Sequence, residues 1–512
     1  MDAFSVRRIV LTGINDISAS IDVPDHCEIQ GDNRNGATVR VPAGATFPAF
    51  NIDGKTGVQI RNLQGAKIAG AALSSRGYLA WIHGASADTL IEDVLADGFV
   101  SAVQVGYGPT GVADGIAERI TLRRVTALNS PSLFGFCLDD VDVALIDDCH
   151  ARGNWLDGIK LRKLTNNVTI RGGSFNQNGA SGLGDGMDAY AGGNAFTIDG
   201  TIFKANASNG FTIKSGDLNQ STQADYGRMQ NVIVRDVRAI DNAGIGGYLT
   251  VTDPTDMTEP LVNGVAITGG VYDRNGANGL YLNAANVTVN APIVRRNGEH
   301  GIVTSGRAFQ VDINDALVIA NGQSAANSYD GININGSYIR VNGGQIVGID
   351  ADDLAIESDQ ANLTKLHRYG IEIASAANQV EVNWPACRYM NSHGIHDSGA
   401  TGVAIVNQRR GGNPTATGTY GAVGSHYVRD YSSNSEDGHE THWVKTAGGR
   451  NTPTTGWTRL IVGAPVTSLP QASEALRGLV LQLHGGAGVA DTWNICAKKA
   501  DDSYAWFAVG LN

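Results

Sequence analysis

Cysteine, proline and basic charge are scarce in this sequence, and long apolar runs are missing. Five cysteines are scattered over 512 residues, and this small, odd number implies no disulfide framework. Only 13 residues are proline. No run approaches the roughly 18 apolar residues that a membrane helix needs, and no apolar secretion segment follows residues 1–8. We therefore expect no membrane insertion.

The net charge is −12, which argues against nucleic acid as a partner because a phosphate backbone usually requires a basic face. Apolar residues make up 42% of the chain, enough for a sizeable continuous core. The length alone would suggest about three ordinary domains. A repeat array, however, can form one long domain of this size.

Glycine is abundant, with 66 residues, and much of it belongs to an internal repeat. The repeated phrase is Asn, three residues, Gly and then a short apolar strand. It occurs at 154–158, 206–210, 275–279 and 297–301. Looser copies end at Gly135, Gly186, Gly247, Gly331, Gly370 and Gly394. The shortest spacings cluster near 23 residues, and the longer ones require insertions.

A second short strand lies between most copies, and both strands alternate inward and outward side chains with period two. This pattern predicts an all-β fold, a right-handed parallel β-helix of about a dozen coils stacked about 4.8 Å apart. Asn at a bend tolerates left-handed backbone, and stacked Asn side chains can form hydrogen-bonded ladders. A leucine-rich repeat would need a denser Leu pattern, and a propeller would need about 40 residues per blade. Neither is found here.

Three regions follow from the repeat. Residues 1–55 are expected to form an N-terminal cap and opening coils, and residues 56–408 the β-helix. After a linker that starts at Arg409, composition shifts toward Trp and Tyr and the strands lengthen. We therefore expect residues 409–512 to form a small antiparallel β domain, which serves trimerisation or binding.

The C-terminal stretch carries a second signal. Residues 485–506 read as a Gly-rich turn, then Val489-Ala490-Asp491, Ile495-Cys496 and Lys498, and close on an aromatic pair. This stretch resembles the end of many bacteriophage tailspike and tail-fibre proteins. Together with the β-helix, it resembles a tailspike depolymerase over most of the chain. The resemblance implies a homotrimer in the virion tail, extracellular when acting, attached to the phage tail or another tail protein.

The same resemblance implies binding and cleavage of a bacterial surface polysaccharide, which is a capsule, an exopolysaccharide or an O-antigen. No cofactor is implied. The middle of the chain also resembles mannuronan C5-epimerases and related β-helix lyases, through Leu156-Asp157-Gly158-Ile159 and the Asn-Gly phrases. Cys137 and Asp139, however, stand where the catalytic Asp and His of that family would fall, which argues against epimerase chemistry.

Residues two and four places after each repeat Gly are expected to point outward. These outward pairs are Cys137/Asp139, Lys160/Arg162, Asp188/Tyr190 and Thr212/Lys214, followed by Leu249/Val251, Tyr281/Asn283 and Val303/Ser305. Polar chemistry is therefore expected on the coils near residues 135–215. Later coils offer mostly small or apolar side chains.

The repeat breaks between Asn178 and Gly186, where four extra residues enter beside two aspartates. A break that places Asp185 and Asp188 on a Gly-rich bend predicts a functional site there. Two carboxylates suit glycoside cleavage, because that reaction uses a pair of them. Asp185 and Asp188 could lie roughly 10 Å apart on an extended chain, which suits an inverting pair. Asp157 lies one coil away and could approach Asp185 to about 5 Å, which suits a retaining pair. Both remain open, as does ordinary Asp-Gly turn chemistry.

The neighbouring side chains predict a substrate groove on the coils between residues 130 and 285, beside insertions at 215–230 and 252–263. Cations suit an acidic sugar, although ion pairing with the nearby aspartates is the alternative reading. Aromatic rings suit stacking on sugars. The predicted substrate-binding residues are Lys160, Arg162, Tyr190, Thr212, Lys214, Tyr248 and Tyr281.

Three functions remain open from the sequence. The first is glycoside hydrolysis by Asp185 and Asp188 with Asp157 in support. The second is a polysaccharide lyase on an acidic substrate, with Lys160 or Lys214 as base and Tyr190 as acid. The third is a non-catalytic glycan-binding tail protein or adhesin. No metal is expected, because His439-Glu440-Thr441-His442 lacks the spacing of zinc proteases and the group His393, His396 and Asp397 is no better.

Overall fold

The computed structural model describes residues 7–406 apart from 33–35, 75, 107–113, 164, 191–192, 217–226, 254–260, 326, 350–366 and 389, and seven strands beyond residue 407. All regular secondary structure in these residues is β-strand. Forty-one strands up to residue 406 form two long sheets, of fourteen and twenty-seven strands. Every pairing within both sheets is parallel, so each turn of the chain stacks on the one before it.

The fourteen-stranded sheet carries one strand from each coil, and we call its solvent side the outer face. Its strands are Ile21–Asp22, Phe50–Asp53, Tyr78–His83, Ser101–Val105, Phe136–Asp139, Ile159–Arg162, Met187–Tyr190, Phe211–Ser215, Gly247–Val251, Leu280–Leu282, Ile302–Thr304, Ile332–Ile334, Tyr369–Ile373 and His393–Asp397.

The twenty-seven-stranded sheet wraps around the other sides of the coils and is called the wrapping sheet. Its strands are Arg7–Leu11, Ile14–Asp16, Cys27–Gly31, Thr38–Val41, Gln59–Lys67, Leu90–Asp97, Ala117–Arg123, Thr126–Leu128, Val141–Asp147, His150–Arg152, Asn166–Arg171, Ser174–Asn176, Gly193–Asp199, Ile202–Lys204, Met229–Arg235, Arg238–Ile240, Val262–Thr268, Val271–Asp273, Ala284–Asn290, Ile293–Arg295, Phe309–Asn314, Leu317–Ile319, Ser337–Asn342, Gln345–Val347, Asn378–Asn383, Ala386–Arg388 and Ala404–Val406.

The core is a continuous apolar column inside the coils. Alternate strand positions point inward, as Val168 and Ile170 do with exposures of 1%, because side chains alternate across a strand. Five aromatic rings follow one another along this column at centroid distances of 5.7–6.4 Å: Phe136, Phe175, Phe203, Phe211 and Tyr272. Since each coil buries its side chains against its neighbours, the array holds together only as a stack.

The predicted asparagine ladder is confirmed. The ladder runs through Asn154, Asn178, Asn206, Asn242, Asn275, Asn297 and Asn321. Each side-chain amide before Asn321 donates to the carboxamide oxygen of the next coil at 2.8–3.1 Å. The ladder residues are buried, with exposures of at most 1%. A buried amide must be hydrogen-bonded, and the stack meets that need by pairing each coil with the next.

The bend next to the ladder has left-handed backbone, but not at the asparagines themselves. The left-handed residue is the one just before each ladder Asn, as at Gln177 with φ of 54° and Arg274 with φ of 53°. The sequence interpretation, which placed the left-handed geometry on Asn, is therefore shifted by one residue. The Asn side chain instead supplies the hydrogen bonds that hold the bend.

Beyond residue 407 the described strands form two further sheets. The first contains Gln408–Arg410, His426–Arg429, Thr441–Lys445 and Trp457–Leu460, and the second contains Val480–Leu483, Thr492–Lys498 and Tyr504–Val509. Apart from one parallel pair at the start, their pairings are antiparallel. That these strands make a separate domain, and that it serves trimerisation, stays a prediction. Across the described residues, no helix has the length and apolarity that crossing a bilayer requires.

Candidate active site

The outer face carries two straight columns of side chains, because the strands stack in exact parallel register. One column runs through Cys137, Lys160, Asp188, Thr212, Tyr248, Tyr281, Val303, Asn333, Glu372 and His396. The other runs through Asp139, Arg162, Tyr190, Lys214 and Thr250. The stacking brings all the predicted site residues near residues 135–215 together.

Two expectations about the columns are wrong. Leu249 and Val251 point inward, with exposures of 0% and 1%, because Gly246 rather than Gly247 occupies the position of the repeat glycine. A Cβ on Gly210 would lie 2.5 Å from the Gly246 carbonyl oxygen, as one on Gly186 would from that of Gly210. The outward residues of that coil are therefore Tyr248 and Thr250.

The second correction concerns the later coils, which are not uniformly small or apolar on the outer face. Asn333, Glu372 and His396 continue the first column there, and Glu372 is buried with 7% exposure. The loose spacing before Gly370 hides this polar group in the repeat pattern of the sequence.

The predicted break in the repeat is confirmed at the site. Asn178 takes its place in the asparagine ladder, and Gly186 takes the glycine position one coil above Gly158. The extra residues between them include Leu183, which is 78% exposed. They border a cleft of about 330 Å³ lined by Phe134, Leu156, Asp157, Lys160, Leu183, Asp185, Asp188, Ser208, Asn209, Thr212, Lys214 and Tyr248.

Asp157 and Asp185 lie one coil apart, each directly before a repeat glycine. The backbone N–H of Asp185 donates to Asp157 Oδ1 at 2.8 Å. Asp185 in turn accepts the backbone N–H of Asn209 at 2.8 Å and the hydroxyl of Thr212 at 2.5 Å, one on each carboxylate oxygen. Asn209 was not among the predicted site residues, although it precedes its repeat glycine as the two aspartates do.

Asp188 lies between two lysines on neighbouring coils. Its Oδ2 accepts from Lys160 Nζ and, at 3.0 Å, from Lys214 Nζ, and Lys160 Nζ also lies 3.4 Å from Asp157 Oδ2. Asp188 points outward as predicted, yet only 5% of it is exposed. Its Oδ1 is buried and has no hydrogen-bond partner among the described residues. A buried carboxylate oxygen without a donor is rare, and Asp188 is one of the residues that line the cleft.

The environment separates the carboxyl groups by charge state. Burial raises the pKa of Asp157 to about 7, helped by the charges of Asp188 and Asp185 and opposed by Lys160. Burial and the Asp188 charge also raise the pKa of Asp185. Burial works the same way on Asp188, but Lys160 and Lys214 outweigh it and hold the pKa of Asp188 below its usual value. One carboxylate is therefore ionised beside two that favour the proton.

Arg162 forms a two-pronged ion pair with Asp139, at 2.5 and 2.6 Å. Tyr190 lies between cations, with its ring centroid 4.7 Å from Lys160 Nζ and 5.8 Å from Lys214 Nζ. The ion-pairing alternative for Lys160, Arg162 and Lys214 is thus confirmed. That they also hold an acidic sugar stays a prediction.

Tyr248 and Tyr281 follow the cleft on the next coils. Their rings meet edge to face with centroids 5.3 Å apart, a favourable geometry for two aromatic rings. The structure therefore joins both tyrosines to the column that holds Asp188, and their role in stacking on sugars stays a prediction. The insertions expected to wall the groove lie largely outside the described residues.

One group elsewhere on the outer face has metal-ligand chemistry. Asp53, His83 and Asp114 bring ligand atoms within 4.8 Å of one another. His83, however, already bonds through Nδ1 to Asp114 at 2.8 Å and through Nε2 to Asn51 at 2.9 Å. Hydrogen bonding thus accounts for the arrangement. The side chains of His393 and His439–His442 lie outside the described ones.

A family model described as right handed beta helix region matches residues 25–225. Among solved structures, gene product 12 of bacteriophage phi29, in a pre-mature form, is similar with a TM-score of 0.55 and 14% identity, covering 79% of this chain and 56% of that one. No curated protein sequence matches the chain.

Two further structures are similar at lower scores. The A-module of mannuronan C-5 epimerase AlgE4 from Azotobacter vinelandii has a TM-score of 0.46 and 15% identity, over 76% of this chain and 90% of that one. The Dettilon tailspike protein gp208 has a TM-score of 0.42 and 13% identity, over 75% and 62%. The predicted fold is confirmed: this chain is a right-handed parallel β-helix protein, of the architecture found also in the phage phi29 protein.

Proposed function

We propose that this protein is a phage tailspike-like depolymerase that hydrolyses a bacterial surface polysaccharide in the cleft around Asp188. The observation that carries the proposal is the buried, unpartnered Oδ1 of an ionised Asp188 beside Asp157, whose pKa is raised to about 7. Glycoside hydrolysis needs one carboxylate and one carboxylic acid. Environments that push two pKa values apart assign those roles.

In this scheme Asp157 donates its proton to the leaving glycosidic oxygen. The Asp188 carboxylate either attacks the anomeric carbon or takes a proton from the attacking water, and both the retaining and the inverting course fit these roles. Asp185 supports the pair: its backbone N–H holds Asp157 Oδ1, and its own oxygens are held by Asn209 and Thr212. Its part is therefore to position the acid.

The lysines have an electrostatic role in the same scheme. Lys160 and Lys214 hold Asp188 ionised, and their charges offset the free-energy cost of burying a carboxylate. Lys160 is also the reason to place hydrolysis before a lyase reaction. Although burial opposes it, Asp188 and Asp157 raise the pKa of Lys160 above its usual value, and a protonated ammonium cannot act as the base.

The tail location has separate support. The C-terminal residues 485–506 resemble tailspike and tail-fibre ends, and the β-helix is shared with a phage phi29 protein. We therefore place the protein in a virion tail, as a homotrimer bound to the tail or to another tail protein. Non-catalytic binding of glycans along the same face is the alternative function.

Incubation with a panel of purified capsules, exopolysaccharides and O-antigens, followed by size-exclusion chromatography, tests the proposal. A hydrolase shortens one polymer without new absorbance in the near ultraviolet, whereas a lyase creates an absorbing double bond. Binding of a polymer without any shortening would establish the adhesin instead. If no polymer of the panel is bound or shortened, a glycan-directed function is contradicted.

A further inference from the structure

A second polar group on the outer face repeats the layout of the cleft. Asp330 lies directly before Gly331, as Asp157 lies before Gly158, and its carbonyl accepts from Gly301 N as that of Asp157 accepts from Gly135 N. Glu372 lies two residues after the next repeat glycine, as Asp188 does, and in the same column. Both pairs thus place a carboxylate before one glycine and a second carboxylate on the following coil.

The third coil of each group adds a contact from the same position. Lys214, four residues after its repeat glycine, donates to Asp188 at 3.0 Å. Ser398, four residues after Gly394, donates to Glu372 Oε1 at 2.6 Å. In both groups the same three positions of three consecutive coils carry the polar side chains. Because the strand register fixes these positions relative to one another, the two groups share a geometry and not only a composition.

The second group differs in that its carboxylate oxygens are occupied. Arg368 donates to both oxygens of Asp330, at 3.1 and 3.0 Å, and Asn333 donates to one at 3.0 Å. The other oxygen of Glu372 pairs with His396 Nδ1 at 2.6 Å. Neither carboxylate resembles Asp188, which keeps an unpartnered oxygen. The group is therefore built to hold its donors in place rather than to react.

The donors are held beside an aromatic stack. The Tyr369 ring is parallel to His396, with centroids 4.2 Å apart and 16° between planes, and Arg368 lies over the Tyr369 ring at 4.6 Å. Arg368 and His396 remain partly accessible, with side-chain exposures of 37% and 22%. The flat rings can stack on the apolar face of a sugar, and the fixed donors beside them can hydrogen-bond to its hydroxyl groups.

We propose that Arg368, Tyr369, Glu372, His396 and Ser398 form a second, non-catalytic glycan-binding site for the same polymer, an inference that rests on the proposed function of the cleft. Six coil steps separate Glu372 from Asp188 in their shared column, or roughly 29 Å at 4.8 Å per coil. Tyr248 and Tyr281 lie between the two sites. A glycan chain of about six or seven sugars, one per coil, spans this distance.

Two linked sites bind a long polymer more tightly than either binds alone, by on the order of 10²-fold or more, whereas a ligand too short to reach both gains nothing. The test uses the polysaccharide of the panel that the wild type cleaves or binds, as intact polymer and as tetrasaccharide fragments. Binding is measured in the Asp188→Asn background, which keeps the polymer whole.

The double substitution Arg368→Gln with His396→Gln keeps a donor beside each carboxylate but removes the cation and the imidazole. It is expected to weaken binding of the intact polymer by about 10²-fold. Tetrasaccharides should keep their affinity for the cleft and lose their binding at the second site. Arg340→Gln is the matched control, since Arg340 also pairs with two carboxylates, Asp312 and Glu381, but on the wrapping sheet. It is expected to leave both affinities unchanged.

Should the double variant not fold, Tyr369→Leu, which leaves both ion pairs in place, carries the same expectation. Unchanged polymer affinity in a folded variant, while the wild type still cleaves the polymer, overturns the second site and leaves the proposed function standing. A wild type that neither binds nor cleaves any polymer of the panel overturns both.

Discussion

Lys214 Nζ lies 3.0 Å from Oδ2 of Asp188, which is on the preceding coil of the outer face. Together with Lys160 it keeps a carboxyl group ionised at a position where only 5% of the residue is exposed. The two lysines make the charge state of Asp188 different from that of Asp157 and Asp185, which are equally buried but do not each have two cations beside them. The division of roles in the cleft follows from that difference.

Asp188→Asn is expected to lower the rate of polymer cleavage by about 10²–10⁴-fold, because the amide cannot serve as base or nucleophile. The β-helix should remain folded, since Asp188 contributes no side chain to the apolar column. A fall in melting temperature is expected, because Lys160 and Lys214 lose their buried counter-charge. Asp199→Asn is the control, an aspartate ion-paired with Arg235 on the wrapping sheet. Wild-type turnover in the Asp188 variant would show that the site is wrong.

The pH profile of cleavage should have its alkaline limb near neutrality. Asp157 acts as the acid only when protonated, so kcat/KM is expected to fall as pH rises through about 7, the raised pKa of Asp157. The acid limb should lie below the usual carboxyl range, because the lysines lower the pKa of Asp188. Initial rates between about pH 4 and pH 9 measure the alkaline limb, and no acid limb is expected within that range. Loss of activity below pH 7 with a rise above it would reverse the assignment.

The same group makes folding stability depend on pH. The folded-state pKa of Asp157 is raised from 3.8 to about 7, so the folded protein keeps a proton that the unfolded chain releases in that window. The stabilisation is complete below about pH 4 and is lost as pH rises through 7. Asp157→Asn, which cannot ionise, is expected to flatten this part of the melting-temperature profile. An identical slope in the variant would place the titration elsewhere.

Asn206→Ala is expected to destabilise the β-helix by about 3 kcal/mol, because it leaves buried hydrogen-bonding groups unpaired. Asn178 loses its acceptor, and the Phe175 carbonyl loses its donor. Equilibrium unfolding in urea measures the loss. Asn314→Ala is the matched comparison, since it breaks an outward, half-buried ladder to Asn290 and Asn342 and should cost less. Equal costs would mean that burial of the inner ladder contributes nothing.

Deletion of residues 415–512 is expected to abolish trimer formation. A β-helix leaves flat faces and strand ends uncovered, and packing three copies covers one face of each. Two aromatic rings toward the C-terminal coils suit such a contact: Tyr338 on the wrapping sheet is 51% exposed, and Trp384 in the bend after Asn378–Asn383 is 53% exposed. Light scattering of the truncated and full-length chains decides the matter. A truncated chain that remains trimeric would remove the assembly role from the C-terminal region.

The sequence by itself determined the β-helix, the asparagine ladder and the inserted bend at Asp185. Repeats of Asn and Gly with period-two strands permit few other folds, because each coil can bury its apolar positions only against another coil. The outward positions of Lys160, Arg162, Asp188 and Tyr190 followed from the same alternation. The register at Gly246 and Gly247 was predicted wrongly, since two adjacent glycines both fit the repeat and a shift of one residue inverts every side chain.

Only the tertiary structure decided the charge states and the second polar group. The pKa of a carboxyl group depends on burial and on charges across coils, so Asp157 and Asp188 cannot be distinguished by spacing along the chain. Nor does the spacing show that Asp188 Oδ1 lacks a donor, which depends on how Lys160 and Lys214 approach from two sides. Asp330 and Glu372 lie 42 positions apart in the sequence, and only the stacking of their coils brings them into the layout of the cleft.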